Sequence, residues 1–371
     1  MYQYSQLSFY DTPLRKTWLP LGACGICMGL GIASKWTGVY AGVGLALIFF
    51  STLFRRFHEY LIAQKDPSGS SNGITHKHVL DCFVSNTRRT IAFCLVFFVA
   101  LPALIYLLSY LPFRDYSDRG LWDRMLHNQE TMFSYHSNLD STHPYSSTWY
   151  EWPIIKRPIW YYSRTITKTA EGGIRAGCVK NPKTPLRTVR QADAAAQTMA
   201  MNSDSTAQAA EIAGSILTKK LRLTPRTITQ TVNTSLREGI SSFGNPAVWW
   251  PGIPAAFYMI YLWAKKKNKI ASFLLVGYLA QYLPWFFVTR VTFIYHYFPS
   301  VVFVVLMNTY SMLQWKEKVS KRTFVAMTII YGIVVFGLFL LFYPVLAGQP
   351  VEAAYVTKYL RWFGSWVLTS K

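Results

Sequence analysis

Residues 323–345, TFVAMTIIYGIVVFGLFLLFYPV, contain no charged side chain. At about 1.5 Å of rise per residue, a helix of that length crosses the ~30 Å hydrocarbon core of a bilayer. In lipid every backbone N–H and C=O must be paired within the protein, so only helices and closed barrels span. An unbroken apolar run selects the helix, because a barrel strand alternates. Similar runs recur along the chain. We read seven spans, at 17–33, 36–54, 90–110, 247–264, 270–288, 294–314 and 323–345. The expected fold class is an all-α integral membrane protein, a multi-span helical bundle with one large external loop.

Composition supports this reading. Charged residues make up 15% of the chain and apolar residues 51%, whereas soluble domains carry about 25% charged residues. The net charge of +21 would suggest nucleic acid in a soluble protein. Here the basic residues gather beside the apolar runs: Arg55-Arg56, Arg88-Arg89, Lys265 to Lys267 and Lys316 to Arg322. That is the signature of cytoplasmic loops, so membrane lipid is the expected partner and nucleic acid is not. The clusters place 55–89, 265–269 and 316–322 on the cytoplasmic side. The turn ASKWTG, residues 111–246, residues 289–293 and the C-terminus then lie outside. ASKWTG is too short for a solvated loop and reads as a tight helical hairpin or an interrupted helix.

The expected organisation follows. Residues 1–110 hold three spans, with a cytoplasmic loop at 55–89. Residues 111–163 form an external loop dense in aromatics and histidine. Residues 164–236 are rich in Ala, Thr and Gln, carry no Trp, Phe or Tyr, and read as an insertion. It forms an Ala-rich helix around 192–219 or stays disordered. Four spans fill 237–345 and an external segment ends the chain at 346–371. The start, MYQYSQLSFYDTPLRKTW, lacks the layout of a signal peptide. Its aromatic texture resembles the tail of an earlier hydrophobic segment, so the chain is expected to begin partway through a larger protein.

The chemistry-bearing residues collect at the external ends of the spans. Arg290 and His296 stand where one apolar run hands over to the next, and Lys35 reaches the same level. Ionisable groups at that depth are costly and mark function by default, although Lys35 alone could simply snorkel. Together they could hold a lipid-linked phosphate, Arg with its bidentate fork and Lys as a point charge. Trp149, Trp152 and Trp160, with Tyr150, Tyr161 and Tyr162, suit either the C–H faces of a sugar or the headgroup level of the membrane. His136 and His143 do not make a recognised metal site and read as hydrogen-bonding groups; no metal or other cofactor is expected. Five cysteines give no disulfide framework. Cys24 and Cys27, among small residues with Gly25/Gly29 and Gly38/Gly42, read as close helix packing. Phosphate-loop, zinc-protease and serine-hydrolase motifs do not occur.

Four blocks resemble the protein O-mannosyltransferase family, in wording closest to its bacterial members. They are GLGIASKWTGVYAG (29–42), YHSNLDSTHPYSSTWYEWPIIKRPIWYY (135–162), GNPAVWWPGIPA (244–255) and GYLAQYLPWFFVTRVTFIYHYFPS (277–300). The resemblance implies a GT-C fold in a membrane, the bacterial cytoplasmic membrane or, in a eukaryote, that of the endoplasmic reticulum. It implies an inverting transfer of mannose from a polyprenyl-phosphate carrier to Ser or Thr hydroxyls of secreted or membrane proteins. It also implies carrier-phosphate contacts at Arg290, His296, Lys35 and Tyr297. The loop residues His136, His143, Trp149, Trp152, Arg157 and Trp160 would face sugar and acceptor. The family's general base is an acidic residue in its first external loop, and nothing here matches that loop; the base is expected upstream of Met1. Two alternatives stay open: a lipid-linked-sugar flippase, against which the lack of internal repeats speaks, and a non-catalytic remnant that binds carrier lipid.

Overall fold

The computed structural model describes residues 1–71, 73–112, 119–138, 142–168, 174–175 and 234–369. The Ala-rich stretch at 192–219 lies outside the described residues. The chain divides into two compact units, Met1–Ile154 with Val248–Ala326, and Ile155–Ala247 with Met327–Lys371.

The first unit is helical apart from one small hairpin. A short helix α1 (Tyr2–Gln6) precedes α2 (Leu14–Ser34). Lys35 and a 3₁₀ turn at Trp36–Gly38 lead into α3 (Val39–Lys65). The hairpin reading of ASKWTG holds, and Gly38 explains it: a Cβ there would sit 2.6 Å from the carbonyl carbon of Gly31. Gly29 likewise lets the backbone of Pro102 approach, at 3.0 Å from where its Cβ would be. A two-stranded hairpin, β1 (Ser70–Ser71) and β2 (Ile74–Thr75), joins α3 to α4 (His76–Leu95). The helix continues through a π turn at Val96–Ala100 into α5 (Leu101–Leu108). After α6 (Leu121–Ser137) come α7 (Pro246–Lys266, within this unit from Val248), α8 (Lys269–Tyr282) and α9 (Phe298–Lys316).

The sequence reading placed a loop at 55–89, but most of it is helix. Val79 and Phe83, one turn apart on α4, pack with Ala63, Phe9 and Tyr10, and that apolar stripe gives both helices a packed face through this basic stretch. Arg56 is 1% exposed, and among the described residues no carboxylate forms an ion pair with it. Its guanidinium donates to Tyr4 Oη at 2.8 Å and Leu7 O at 2.6 Å and lies over the rings of Tyr4 and Phe9. These contacts meet both terminal nitrogens through hydroxyl and carbonyl and the charge through π faces, while Nε is buried without a hydrogen-bond partner; they tie the N-terminal segment to α3.

In the second unit, β3 (Ile159–Lys168), β4 (Ile174–Arg175), β5 (Thr234–Ser242) and β6 (Val351–Glu352) form a sheet in the order β4-β3-β5-β6. β3 and β5 are antiparallel, paired from Ile159↔Ser242 to Lys168↔Thr234 with a one-residue register shift at Tyr161. Residues 164–168 and 234–236, read from sequence as insertion, thus belong to this ladder, as their β-branched Thr and Ile suit. α10 (Lys321–Ala347, within this unit from Met327) presents Phe342, 2% exposed, to Phe243, Trp362 and Trp366. Trp366 Nε1 donates to Ile155 O at 2.7 Å.

Five helical segments, Leu14–Ser34, Trp36–Lys65, His76–Leu108, Lys269–Phe287 and Lys321–Ala347, are long and apolar enough to cross a membrane. The protein is a helical integral membrane protein.

Two outcomes are expected. Because Lys168 and Thr234 are paired, replacing 169–233 by Asn-Gly, a turn suited to a two-residue hairpin, leaves a monodisperse, helical protein in detergent; aggregation would show that the segment is needed for folding. In a cysteine-free background, cysteines at Ser68 and Ser137 are labelled by an impermeant maleimide from opposite sides of sealed vesicles; labelling from one side would overturn the orientation.

Candidate functional site

Lys35 is a single extended residue, at φ −160° and ψ 134°, between α2 and the 3₁₀ turn. Its ammonium stands 5.1 Å from the centroid of the Tyr295 ring. The next residue fixes the corner: Trp36 Nε1 donates to Tyr106 Oη at 2.7 Å. Gln129 Nε2 reaches both Tyr106 Oη, at 2.6 Å, and Tyr110 Oη, at 2.7 Å, and Asn128 also donates to Tyr110. α6 is thereby held to the ends of α2 and α5, with His136 in its last turn.

The connection between α8 and α9 supplies the second cation. α8 ends at Tyr282 and tightens into a 3₁₀ turn at Leu283–Phe287, with Pro284, which has no N–H to donate, in its first residues. A second 3₁₀ turn, Ile294–Tyr297, precedes Pro299 in the first turn of α9. The apolar run at 294–314 therefore begins as a tight turn rather than as the span itself. Arg290 lies in the non-helical stretch between the two turns, half-buried. Among the described residues no carboxylate forms an ion pair with Arg290 or Lys35.

The cations act on one another. Partial desolvation lowers the pKa of Lys35, and Arg290 lowers it further. His136 is pushed down by burial and then by Arg290, and its Nδ1 is buried with no hydrogen-bond partner. His296, in the turn before α9, falls to about 4, first through burial and then through Lys35. Its imidazole is neutral at pH 7, and Nδ1 accepts the N–H of Phe293 at 3.1 Å.

Beneath these groups lies a framework of rings. Trp152, fully buried, stacks on His296 with centroids 6.0 Å apart and meets Trp285 edge-on at 5.5 Å. Trp285 and Tyr295 each lie 4.3 Å from the His296 ring. The loop carrying Trp152 is bound to the Arg290 connection by a reciprocal pair: Ser147 N–H donates to Thr292 O at 2.9 Å, and Thr292 Oγ1 donates to Ser147 O at 2.8 Å. Trp152 Nε1 closes the loop on Ser147 O at 3.2 Å and Oγ at 3.1 Å. Trp149 packs edge-on against Tyr282 and Phe286, and its carbonyl accepts from Tyr282 Oη at 3.0 Å. His143 meets Phe293 edge-on at 5.1 Å.

The residues singled out from sequence thus separate into layers. Lys35, Arg290 and His136 form the polar group, with His143 and Trp149 beside the same connection. His296 and Trp152 support it. Tyr297, 2% exposed, spends its hydroxyl on Tyr278 Oη at 2.9 Å and belongs to the packing below. Arg157 and Trp160 fall in the second unit, where Trp160 Nε1 donates to Tyr162 O at 2.8 Å. Sequence reasoning missed Tyr295, Trp285, Ser147 and Thr292. All four stand inside the quoted motifs, but an aromatic or hydroxyl among many carries no mark of which one touches the cation.

Lys35 also lines an apolar cavity of about 430 Å³ between α2, α3, α8 and α9. Its walls are mostly small or aliphatic, among them Gly31, Ala41, Gly44, Leu45 and Gly277.

Residues 121–366 match the family model described as the C-terminal four TMM region of protein-O-mannosyltransferase. Two curated proteins, each a polyprenol-phosphate-mannose–protein mannosyltransferase of Mycolicibacterium smegmatis, are similar. That of strain ATCC 700084 / mc(2)155 is 22% identical, covering 96% of this chain and 60% of its own length. That of strain MKD8 is 22% identical, covering 94% and 58%. The chain therefore spans about three fifths of the curated relatives it matches. A solved structure, the S. cerevisiae protein O-mannosyltransferase Pmt1-Pmt2 complex bound to the sugar donor, superposes with a TM-score of 0.41 at 15% identity, over 68% of this chain and 28% of that one.

The coupling of cations is measurable. Arg290 disfavours protonation of His136, so Arg290→Gln raises the His136 pKa toward, but not above, that of an exposed histidine, since burial remains. The check is the ¹³Cε1 shift of His136 against pH, assigned with His136→Gln. An unchanged titration would show that the two groups do not interact.

Proposed function

The chain belongs to the protein O-mannosyltransferase family, and on that premise we propose that it carries the donor-lipid side of a mannosyltransferase working on polyprenyl-phosphate mannose. The observation that carries this reading is the Lys35–Arg290 pair, two cations without a carboxylate partner among the described residues, Lys35 itself lining the apolar cavity. A phosphodiester headgroup would lie between the two cations, on the external side of the membrane. The first stretch of the isoprenoid tail would fill the cavity.

In the transfer, a Ser or Thr hydroxyl oxygen of the acceptor protein bonds to the anomeric carbon as the bond from that carbon to the phosphate oxygen breaks. The pair of electrons leaves with the phosphate, whose charge rises from about −1 toward −2. Cations already in place, and partly desolvated, stabilise that developing charge more than the ground state. Arg290 offers a two-pronged contact and Lys35 a mobile point charge. His296, neutral at pH 7, fixes the 3₁₀ turn after Arg290 and adds no charge. Trp149 and His143 border the place where the sugar would sit. The group contains no carboxylate to take the hydroxyl proton, so its role is to hold the leaving group rather than to act as base.

The test uses a chain extended to the full length of its relatives. Arg290→Ala lowers mannosyl transfer by roughly 10²–10³, the cost of losing one preorganised oxyanion donor. Arg290→Lys recovers part of it, because the charge stays and the fork is lost. Both variants elute as folded, monodisperse protein. Normal turnover in both would overturn the phosphate-binding role; a folding defect in Arg290→Ala with normal turnover in Arg290→Lys would reduce Arg290 to an anchor.

A further inference from the structure

A second cavity, of about 440 Å³, opens between α3, α8, the end of α7 and the N-terminal segment, and its chemistry differs from the first. Arg55, Lys267 and Lys269 line it together with Ser51, Asn268 and Ser272. No Asp or Glu lines it, and among the described residues none of the three cations has a carboxylate partner; Glu59, one turn along α3 from Arg55, makes no ion pair with it. From these features we propose that the cavity is a binding site for the phosphate headgroup of an anionic phospholipid, at the membrane face opposite the Lys35–Arg290 site.

Position supports a lipid. Arg55 follows Val39 by about four and a half turns of α3, roughly 24 Å along the helix, close to the hydrocarbon thickness of ~30 Å. The cavity therefore sits at the far headgroup level. It is also continuous with apolar surface. Leu47, Val276 and Trp263 line it, and Ile48 and Phe273 line both this cavity and the apolar one that begins at Lys35. A phosphate seated among the cations would have its acyl chains directed along α3 and α8.

Local structure holds the cations in place. Only Lys267 and Asn268 join α7 to α8. Lys267 adopts φ +51°, the left-handed conformation that usually goes to glycine or asparagine after a helix. Asn268 caps α8, accepting Ala271 N–H at 2.9 Å through Oδ1 and donating from Nδ2 to Tyr310 Oη at 2.8 Å. Lys267 and Lys269 thus flank a fixed helix N-terminus, whose dipole adds to theirs. Arg55 is bound at 2.5 Å to Ser5 O, which draws it over the cavity. Ser51 Oγ and Thr52 Oγ1 donate to Ile48 O, so the charge-assisted hydrogen bonds to a phosphate oxygen come from the cations.

The experiment is native mass spectrometry of the full chain in neutral detergent, titrated with phosphatidylglycerol or phosphatidylcholine. One phosphatidylglycerol is retained with at least tenfold preference over phosphatidylcholine, and inorganic phosphate at millimolar concentration does not displace it. The Arg55→Gln/Lys267→Gln/Lys269→Gln variant loses at least tenfold in affinity. Ser272→Phe, which fills the cavity and keeps every charge, loses as much, and it carries the test if the triple variant misfolds. Lys316→Gln/Lys318→Gln/Lys321→Gln removes an equal charge from another loop and binds as the wild type does. Equal retention of the two lipids, displacement by phosphate, unchanged binding in Ser272→Phe, or an equal loss in the loop-charge control would each overturn the site.

Discussion

Unpaired backbone cannot be exposed to hydrocarbon, and that constraint organises this molecule. The first unit satisfies it with helices α2 to α5 and α7 to α9. Wherever the backbone departs from regular helix, something other than lipid must meet its N–H and C=O groups. Among the described residues of this unit, such departures include the π turn at Val96–Ala100, the Lys35 corner, the two 3₁₀ turns around Arg290 and the loop that carries Trp152. The Lys35 corner pairs its backbone locally, Lys35 N–H with Gly31 O and Gly38 N–H with Lys35 O, whereas the Trp152 loop and the Arg290 connection pair with each other and with an aromatic hydroxyl. Ser147 and Thr292 exchange two hydrogen bonds, and Tyr282 takes the carbonyl of Trp149. Backbone that needs partners has been gathered in one place, and the cations come with it.

The rings around His296 follow from the same constraint. A connection made of short turns has little rigidity of its own, and its polar groups gain strength only if water is kept away. Trp152, Trp285, Tyr295 and Phe293 enclose the imidazole, and burial keeps it neutral at pH 7. A protonated histidine there would add a third full charge beside Lys35 and Arg290. The framework thus separates two duties: neutral aromatic groups fix the geometry, and the charge is concentrated on two side chains. Arg56 shows the opposite solution within the same unit. Its guanidinium is enclosed by Tyr4, Phe9 and a carbonyl and is 1% exposed, so it serves packing rather than a ligand at the surface.

Much of this was legible in the sequence, for identifiable reasons. The spans were legible because a run such as 323–345 has no other stable home. Arg290 and Lys35 stood out because charge at an apolar boundary is costly enough to need a cause. The helical extension of 55–89 was hidden by its basic residues; Val79 and Phe83 give the period, but four charged neighbours blur it. The β3–β5 ladder was hidden because its partners lie far apart in the chain, and an Ala/Thr-rich segment between them masks the link. The roles of Tyr297 and Trp152 were not legible at all. Their types suit a sugar-binding surface and a buried wall equally well, and only the partner of each polar atom, Tyr278 Oη for one and Ser147 for the other, separates the two.

The choice of Arg at 290 and Lys at 35 has its own logic. Arg290 sits in a stretch between two turns, and a planar fork there suits the two-pronged phosphate contact proposed for it. Lys35 occupies one extended residue at an exposed corner, where a long flexible stem can follow a headgroup as it moves. Its ammonium over the Tyr295 ring has a π face to rest on, worth about 0.5–1 kcal/mol at an exposed position. That is a weak hold, which the proposed phosphate would displace. Exchanging the two residues would put the flexible cation where direction matters and the rigid one where reach matters, with the net charge unchanged. If charge alone governed this site, the exchange would cost nothing; if geometry governs it, the doubly exchanged protein binds a lipid phosphate less well than either residue's position alone would suggest.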